Sequence, residues 1–297
     1  YMLPLGNIIR KHGISFHCYA NDTQVYVSAK PDEKNQFTKV EQCVQDIRDW
    51  MLINFLLLNP DKTEVLVIGP QAARSKLSDH TVILYGLYVP SSATVKDLDV
   101  IIDSSLSFEA HVDNITRIAF FHLRNIARIK NILSPNDAEK LVHAFITSWL
   151  DYCNALLSGC STRCLNKLQL VQNAAARVLT RTRRYKHSPP ILSTLHWLPV
   201  KFRIDFKILL YKALNGLVPQ YLSELLVSYN PPRLLRSKDA GCLSVPRIIK
   251  TTAGGRAFSY KAPKLWNSLP NSVRDSDTVS VFKSRLKTYL FSQVLVS

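Results

Sequence analysis

Hydrophobic and polar positions change their rhythm several times along this chain. Ile14–Tyr19 and Thr23–Ser28 are short runs rich in β-branched and aromatic residues, with small polar residues between them. That pattern predicts a β-hairpin. A helical period follows. Phe37, Val40, Val44, Ile47, Trp50, Met51 and Phe55 recur at three- and four-residue spacing and make one apolar stripe. Pro31, Asp32 and Glu33 precede it, where carboxylates suit the positive end of a helix dipole. Asn59-Pro60-Asp61 marks its expected end. Thr63–Ile68 alternates and is β-rich, the signature of a strand.

The rest reads as mostly helical. Phe108, Val112, Ile115, Ala119, His122, Ile126 and Ile129 form a second stripe. Ser134-Pro135-Asn136-Asp137 is a helix start, with Ser as N-cap, Pro in the first position and Asp three residues after the cap. Its apolar run holds Leu141, Val142, Phe145, Trp149 and Leu150. Ser161 opens another helix, with Leu165, Leu168, Val171, Ala175 and Val178 on one face. Pro199, Gly216 and Pro219 punctuate two further helices, and Pro231–Pro246 reads as a basic loop. No internal repeat or low-complexity tract interrupts the pattern.

The candidate chemistry lies between the first two strands. Phe16-His17-Cys18-Tyr19-Ala20-Asn21-Asp22-Thr23-Gln24-Val25-Tyr26-Val27 resembles the Tyr-Ala-Asp-Asp-Thr-Gln hairpin of non-LTR (LINE-type) retrotransposon reverse transcriptases. Here the first aspartate of the pair reads Asn21. Asn54-Phe55-Leu56-Leu57-Leu58-Asn59-Pro60-Asp61-Lys62-Thr63-Glu64 resembles the palm motif that follows in the same family. Val95–Asp103, followed by Leu106-Ser107-Phe108-Glu109-Ala110-His111-Val112, resembles its primer-grip hairpin and the start of its thumb. The family usually has glycine where this chain has Asp99, and glycine would suit a positive φ or a close backbone approach. The C-terminal third, including Val245-Pro246-Arg247, Ala262-Pro263-Lys264-Leu265-Trp266-Asn267-Ser268-Leu269-Pro270 and Phe282–Phe291, resembles the tail of vertebrate LINE elements of the Rex kind. The resemblance covers essentially the whole chain, with its motifs in family order.

That resemblance implies an α+β fold: a partial reverse-transcriptase palm of hairpin, helix and strands over 1–105, a helical thumb-like region over 106–230, and a basic C-terminal region over 231–297. It implies an RNA-directed DNA polymerase with Mg²⁺ as cofactor. Tyr19, Asn21 and Asp22 stand at the catalytic hairpin, Asp22 as the surviving metal ligand. Lys62 is carried over as a residue near the nucleotide site, beside the plainer reading of a solvated turn lysine. Two-metal phosphoryl transfer needs clustered carboxylates. Losing one negative charge beside a divalent ion costs on the order of several kcal/mol, and each ~1.4 kcal/mol is tenfold in rate. Reading from Tyr1, Asp22 is the first Asp or Glu, so the family's upstream aspartate is not in this stretch of chain. The expectation is a truncated, degenerate polymerase fragment, inactive alone. The alternatives are a non-catalytic module that binds RNA, DNA or an RNA/DNA hybrid, or a relic with no cellular role.

Charge sharpens the second reading. The 297 residues carry a net charge of +16 and are 46% hydrophobic, enough for a core and a polyanion partner. Between Asp151 and Asp205 no carboxylate occurs, while Arg163, Lys167, Arg177, Arg181, Arg183, Arg184, Lys186, Lys201 and Arg203 all do. Arg177, Arg181, Arg183, Arg184, Tyr185 and Lys186 are the candidate nucleic-acid contacts, with Tyr185 placed to stack on a base. A second basic run holds Arg233, Arg236, Lys238, Arg247, Lys250, Arg256, Lys261 and Lys264. Cys153, Cys160 and Cys164, with His187 and His196 beyond them, lack the paired spacing of a zinc site and read as thiols in a core. No apolar run approaches ~18–20 residues and no leader pattern opens the chain, so neither a spanning helix nor a signal peptide is expected. The basic clusters permit a nuclear or a cytoplasmic setting.

Overall fold

In a computed structural model of the chain, helices and two-stranded sheets segregate along the sequence, an α+β arrangement. The structure describes residues 2–30, 34–77, 82–84, 87–183, 187–203, 206–230, 241–248 and 254–296. The expected helix start at Pro31-Asp32-Glu33 and the basic residues Arg233, Arg236, Lys238 and Lys250 lie outside them. The chain divides into two units, Tyr1–Leu106 and Ser107–Ser297.

The first unit holds α1 (Leu3–Lys11), β1 (Ser15–Tyr19), β2 (Asp22–Tyr26), α2 (Lys34–Ile53), β3 (Val65–Leu66), α3 (Gln71–Leu77), β4 (Val82–Leu84), β5 (Leu87–Val89), β6 (Ser91–Ser92), β7 (Thr94–Asp97) and β8 (Val100–Asp103). The β1–β2, β4–β5 and β7–β8 pairs are antiparallel and β3–β6 is parallel. Alternation in the first hairpin turns Phe16 and Val25 inward. They pack with Leu5 and Ile9 of α1 and with Cys43, Ile47 and Met51 of α2. Gly6 permits that closure, since a Cβ on it would sit 3.0 Å from Cζ of Phe16. Burial, reinforced by the negative charge of Asp46, pushes the Cys43 thiol up to about 11.

Two boundaries differ from the sequence pattern. The α2 stripe was expected to reach Phe55 and stop at Asn59-Pro60-Asp61, but the helix ends at Ile53. Phe55 takes a left-handed conformation with φ 59. Its N–H donates to the Leu52 carbonyl at 3.1 Å, and the Leu56 N–H donates to the Met51 carbonyl at 2.8 Å. These are the paired closing bonds of a Schellman motif. The reversal leaves Phe55 97% exposed instead of buried. The expected strand Thr63–Ile68 is only Val65–Leu66 long, because β6 pairs over just two residues.

The second unit holds α4 (Glu109–Ile129), α5 (Pro135–Val142), a wide turn (His143–Thr147), α6 (Ser148–Asp151), α7 (Thr162–Thr180), α8 (Ser188–Thr194), α9 (Val200–Arg203), α10 (Phe206–Leu214), α11 (Gln220–Ser223), α12 (Phe258–Asn267), α13 (Asn271–Arg274) and α14 (Val279–Val296). The expected N-caps form. Ser134 Oγ accepts from the Asp137 N–H at 3.1 Å and donates to its carboxylate at 2.6 Å. Ser161 Oγ accepts from the Cys164 N–H at 3.3 Å. The α4 stripe is buried at Val112, Ile115, Ala119 and Ile126, but Leu123 takes the inward place expected of His122, and Ile129 is exposed.

Between α5 and α6 the Ser148 N–H reaches the His143 carbonyl, an i→i+5 bond. This π-turn has a sequence cause. Ala138, Val142, Ile146 and Leu150 are buried at four-residue spacing, which drifts around an ordinary 3.6-residue helix. Extra residues in one turn take up that drift and keep the row inward. Phe145, expected in the apolar run, is thereby left 42% exposed.

A polar network between helices satisfies several inward side chains. Gln172, 1% exposed, donates to the Leu198 carbonyl at 2.9 Å. Gln169 donates to Gln172 at 2.9 Å and accepts from the Val200 N–H at 2.8 Å. Arg203 holds Asp151 through two hydrogen bonds. A separate core joins Leu210 and Tyr211 of α10 to Leu243, Trp266, Phe282, Leu286 and Leu290, so it draws on both sides of residues 231–240. Phe282 stacks on Tyr211, with ring centroids 4.3 Å apart.

Candidate functional site

The β1–β2 register ends at Tyr19 opposite Asp22, leaving Ala20 and Asn21 as a two-residue loop. Ala20 has φ 54, a strained value for a residue with a Cβ. Such tight hairpin loops need a positive φ, and no glycine is present to supply it. Strand alternation carries Ser15, His17, Tyr19, Asp22, Gln24 and Tyr26 onto one face, all exposed. Tyr19 is 68% exposed at the tip. Behind it, His17 and Tyr26 stack at 5.3 Å, and the Tyr26 hydroxyl meets His17 Nε2 at 3.1 Å.

A second carboxylate reaches this face. Gln24, two residues from Asp22, donates through Nε2 to the Asp97 carboxylate at the end of β7. The β7–β8 loop is Leu98-Asp99, with φ 43 and φ 64. Both residues are left-handed, the requirement of a type I′ turn, and aspartate tolerates that region better than most side chains. Asp99 is held there by Lys96 at 2.7 Å. Lys62 is exposed in the short 3₁₀ turn Pro60–Lys62. Asn59 caps that turn by accepting from the Asp61 N–H at 3.0 Å. Among the described residues no hydrogen bond or ion pair joins Lys62 to Asp22.

Among the described residues the hairpin tip gathers no cluster of carboxylates. Mg²⁺ takes oxygen ligands in near-octahedral geometry. Asp22 supplies one carboxylate, Asn21 supplies an amide, and Asp97 is engaged by Gln24. No group of three or more His, Cys, Asp or Glu side chains that could hold a metal ion occurs among the described residues. Of the three cysteines read as core thiols, Cys160 and Cys164 are buried, but Cys153 is exposed with φ 49, because the chain reverses there and turns the side chain to solvent.

The candidate basic contacts divide by environment. Arg177 is half-buried and donates to Ser188 Oγ at 2.6 Å, bracing α7 against α8. Arg181 is exposed at the left-handed end of α7, with φ 53. Its guanidinium donates to the Lys130 carbonyl at 3.2 Å, beside the end of α4. Arg183 is exposed. Arg184, Tyr185 and Lys186 lie outside the described residues. Lys167 pairs with Asp113 near the starts of the same two helices. With Arg181 tying their ends, α4 and α7 therefore run in the same direction. The C-terminal end of α4 thus lies beside the basic end of α7. That placement follows from the helix pairing and is not carried by any motif.

No protein-family model, curated protein or solved structure matches the chain. No described helix is long and apolar enough to cross a membrane.

Proposed function

We propose that this chain is a degenerate palm-and-thumb portion of a LINE-type reverse transcriptase that no longer catalyses synthesis by itself and keeps a capacity to bind nucleic acid. The observation that carries the reading is the first hairpin. Tyr19 and Asp22 face each other across a two-residue turn, and Asn21 occupies that turn where the family has its first aspartate. Three further features support it: the helix that runs into the Asn59–Thr63 turn, the type I′ hairpin at Leu98-Asp99, and a following basic helical unit, all in family order.

The chemistry argues against turnover by this stretch of chain. An exposed aspartate with a neutral amide beside it, and a second carboxylate already engaged by Gln24, cannot hold two divalent ions against their hydration. Primer extension on an RNA template, with Mg²⁺ or Mn²⁺, tests the point on this chain and on Asn21→Asp. Neither protein is expected to extend the primer, because restoring one carboxylate still leaves too few ligands. Template-dependent incorporation by the unmodified chain would overturn the reading. Nucleic-acid binding is tested by titrating a labelled RNA/DNA primer–template at several salt concentrations. The expected result is a steep salt dependence that weakens when Arg181 and Arg183 become alanine. No binding by a folded chain would remove this part of the proposal.

A further inference from the structure

We infer that the outward face of α4 and the adjoining π-turn form a stacking site for single-stranded nucleic acid, a deepening that rests on the nucleic-acid-binding reading above. On a helix of 3.6 residues per turn, Arg117, Phe121, Arg124 and Arg128 fall in one narrow row. That row lies opposite the buried row of Val112, Ile115, Ala119, Leu123 and Ile126. No carboxylate pairs with these three arginines among the described residues. Arg117 donates to Asn114 Oδ1 at 2.9 Å, and Arg124 to the Phe120 carbonyl at 3.3 Å. Asp113, the acid nearest the row's start, is taken by Lys167. The row spans roughly 16 Å at 1.5 Å per residue. Arg181 donates to the Lys130 carbonyl just past its far end, so the basic end of α7 extends it.

Aromatic rings lie within and beside this basic row. Phe121 is 54% exposed between Arg117 and Arg124. Its ring meets His122 edge-on at 5.3 Å, and His122 stacks on Phe145 at 5.0 Å with the planes 24° apart. The π-turn is what leaves Phe145 outward. Three linked rings from α4 and the π-turn, two of them exposed phenylalanines, thus border a line of guanidinium groups. Cations that follow a backbone, with rings that receive successive bases, are the two parts of a sequence-tolerant single-strand site. A duplex keeps its bases stacked on each other and offers no free ring face, so single strands are the favoured class.

The test uses the full chain and a fluorescein-labelled oligothymidylate of about 12 nucleotides, with a duplex of equal length as comparison. The single strand should bind more tightly than the duplex. Phe121→Ala and Phe145→Ala should each weaken single-strand binding roughly tenfold without changing its salt slope, and Phe121→Trp should retain it. Replacing Arg117, Arg124 and Arg128 together by glutamine should lower the slope of log K against log salt by about two. All these side chains are substantially exposed or on the solvent face, and far-UV circular dichroism checks that the variants fold. Photo-crosslinking with a halogenated uracil should label the peptide containing Phe121. Binding that survives the Phe121/Phe145 double substitution but falls with Arg181 and Arg183 would overturn this site and leave the general reading standing. Preference for the duplex would also overturn the site. No binding to any nucleic acid would overturn both.

Discussion

Replacing Phe55 by glycine should stabilise the first unit, although it deletes a large apolar side chain. Phe55 closes α2 in a left-handed conformation at φ 59, with its ring 97% exposed. Holding a residue with a Cβ in that region costs roughly 1–2 kcal/mol. Glycine removes that strain but frees the unfolded chain, which takes back about 0.5–1 kcal/mol. The ring hides almost no area, so at ~25 cal/mol per Å² its loss contributes next to nothing. The net gain is about 0.5–1 kcal/mol. For a unit of this size that is an increase in melting temperature of roughly 2–8 °C. Phe55→Ala is the control, because it removes the ring and keeps the strain, and it should give no gain. Urea unfolding and scanning calorimetry measure both. A loss of stability in Phe55→Gly, or equal behaviour of the glycine and alanine variants, would refute the reasoning. Such a result would mean that the ring is packed or that the turn is not left-handed.

Phe282→Ala should cost about 3–5 kcal/mol. Phe282 is fully buried, 4.3 Å from the ring of Tyr211 and 6.2 Å from that of Trp266; a loss under ~1 kcal/mol in urea unfolding would mean that α14 does not share a core with α10. Asp46→Asn tests an acid-sensitive link between α1 and α2. Asp46 lies below its ordinary value of 3.8, chiefly through its hydrogen bond with His12 at 2.9 Å and also through Lys11 at 3.6 Å. A depressed native value stabilises the fold above the unfolded value and loses that contribution as pH falls through the native one. The unmodified chain should therefore be the more stable at about pH 5 and above, and the difference should close as pH drops below 3.8. A stability gap that persists unchanged at lower pH would show that Asp46 acts through something other than its charge.

Much of the local structure is written in neighbouring residues. The first hairpin, the caps at Ser134 and Ser161 and the buried rows of α2, α4 and α7 each depend on side chains within a turn or two of one another. Alternation and 3.6-residue spacing are therefore enough to reveal them. The same locality makes the Tyr19–Asp22 turn recognisable, together with the uncharged amide at Asn21. Other features required the folded chain. The end of α2 at Ile53 is set by a reversal at Phe55, a residue whose apolar character suggested burial. The four-residue spacing of Ala138, Val142, Ile146 and Leu150 is visible in the sequence, yet whether it bends the helix or widens a turn depends on the core it must face. The engagement of Arg177 with Ser188 and the meeting of Arg181 with the end of α4 join residues brought together by the path of the chain. So do the approach of Asp97 to Gln24 and the stacking of His122 on Phe145. A sequence fixes which groups each element carries on each face. Which outward faces become neighbours is decided when those elements pack, because burial of the inner faces sets the arrangement and the outer groups follow it.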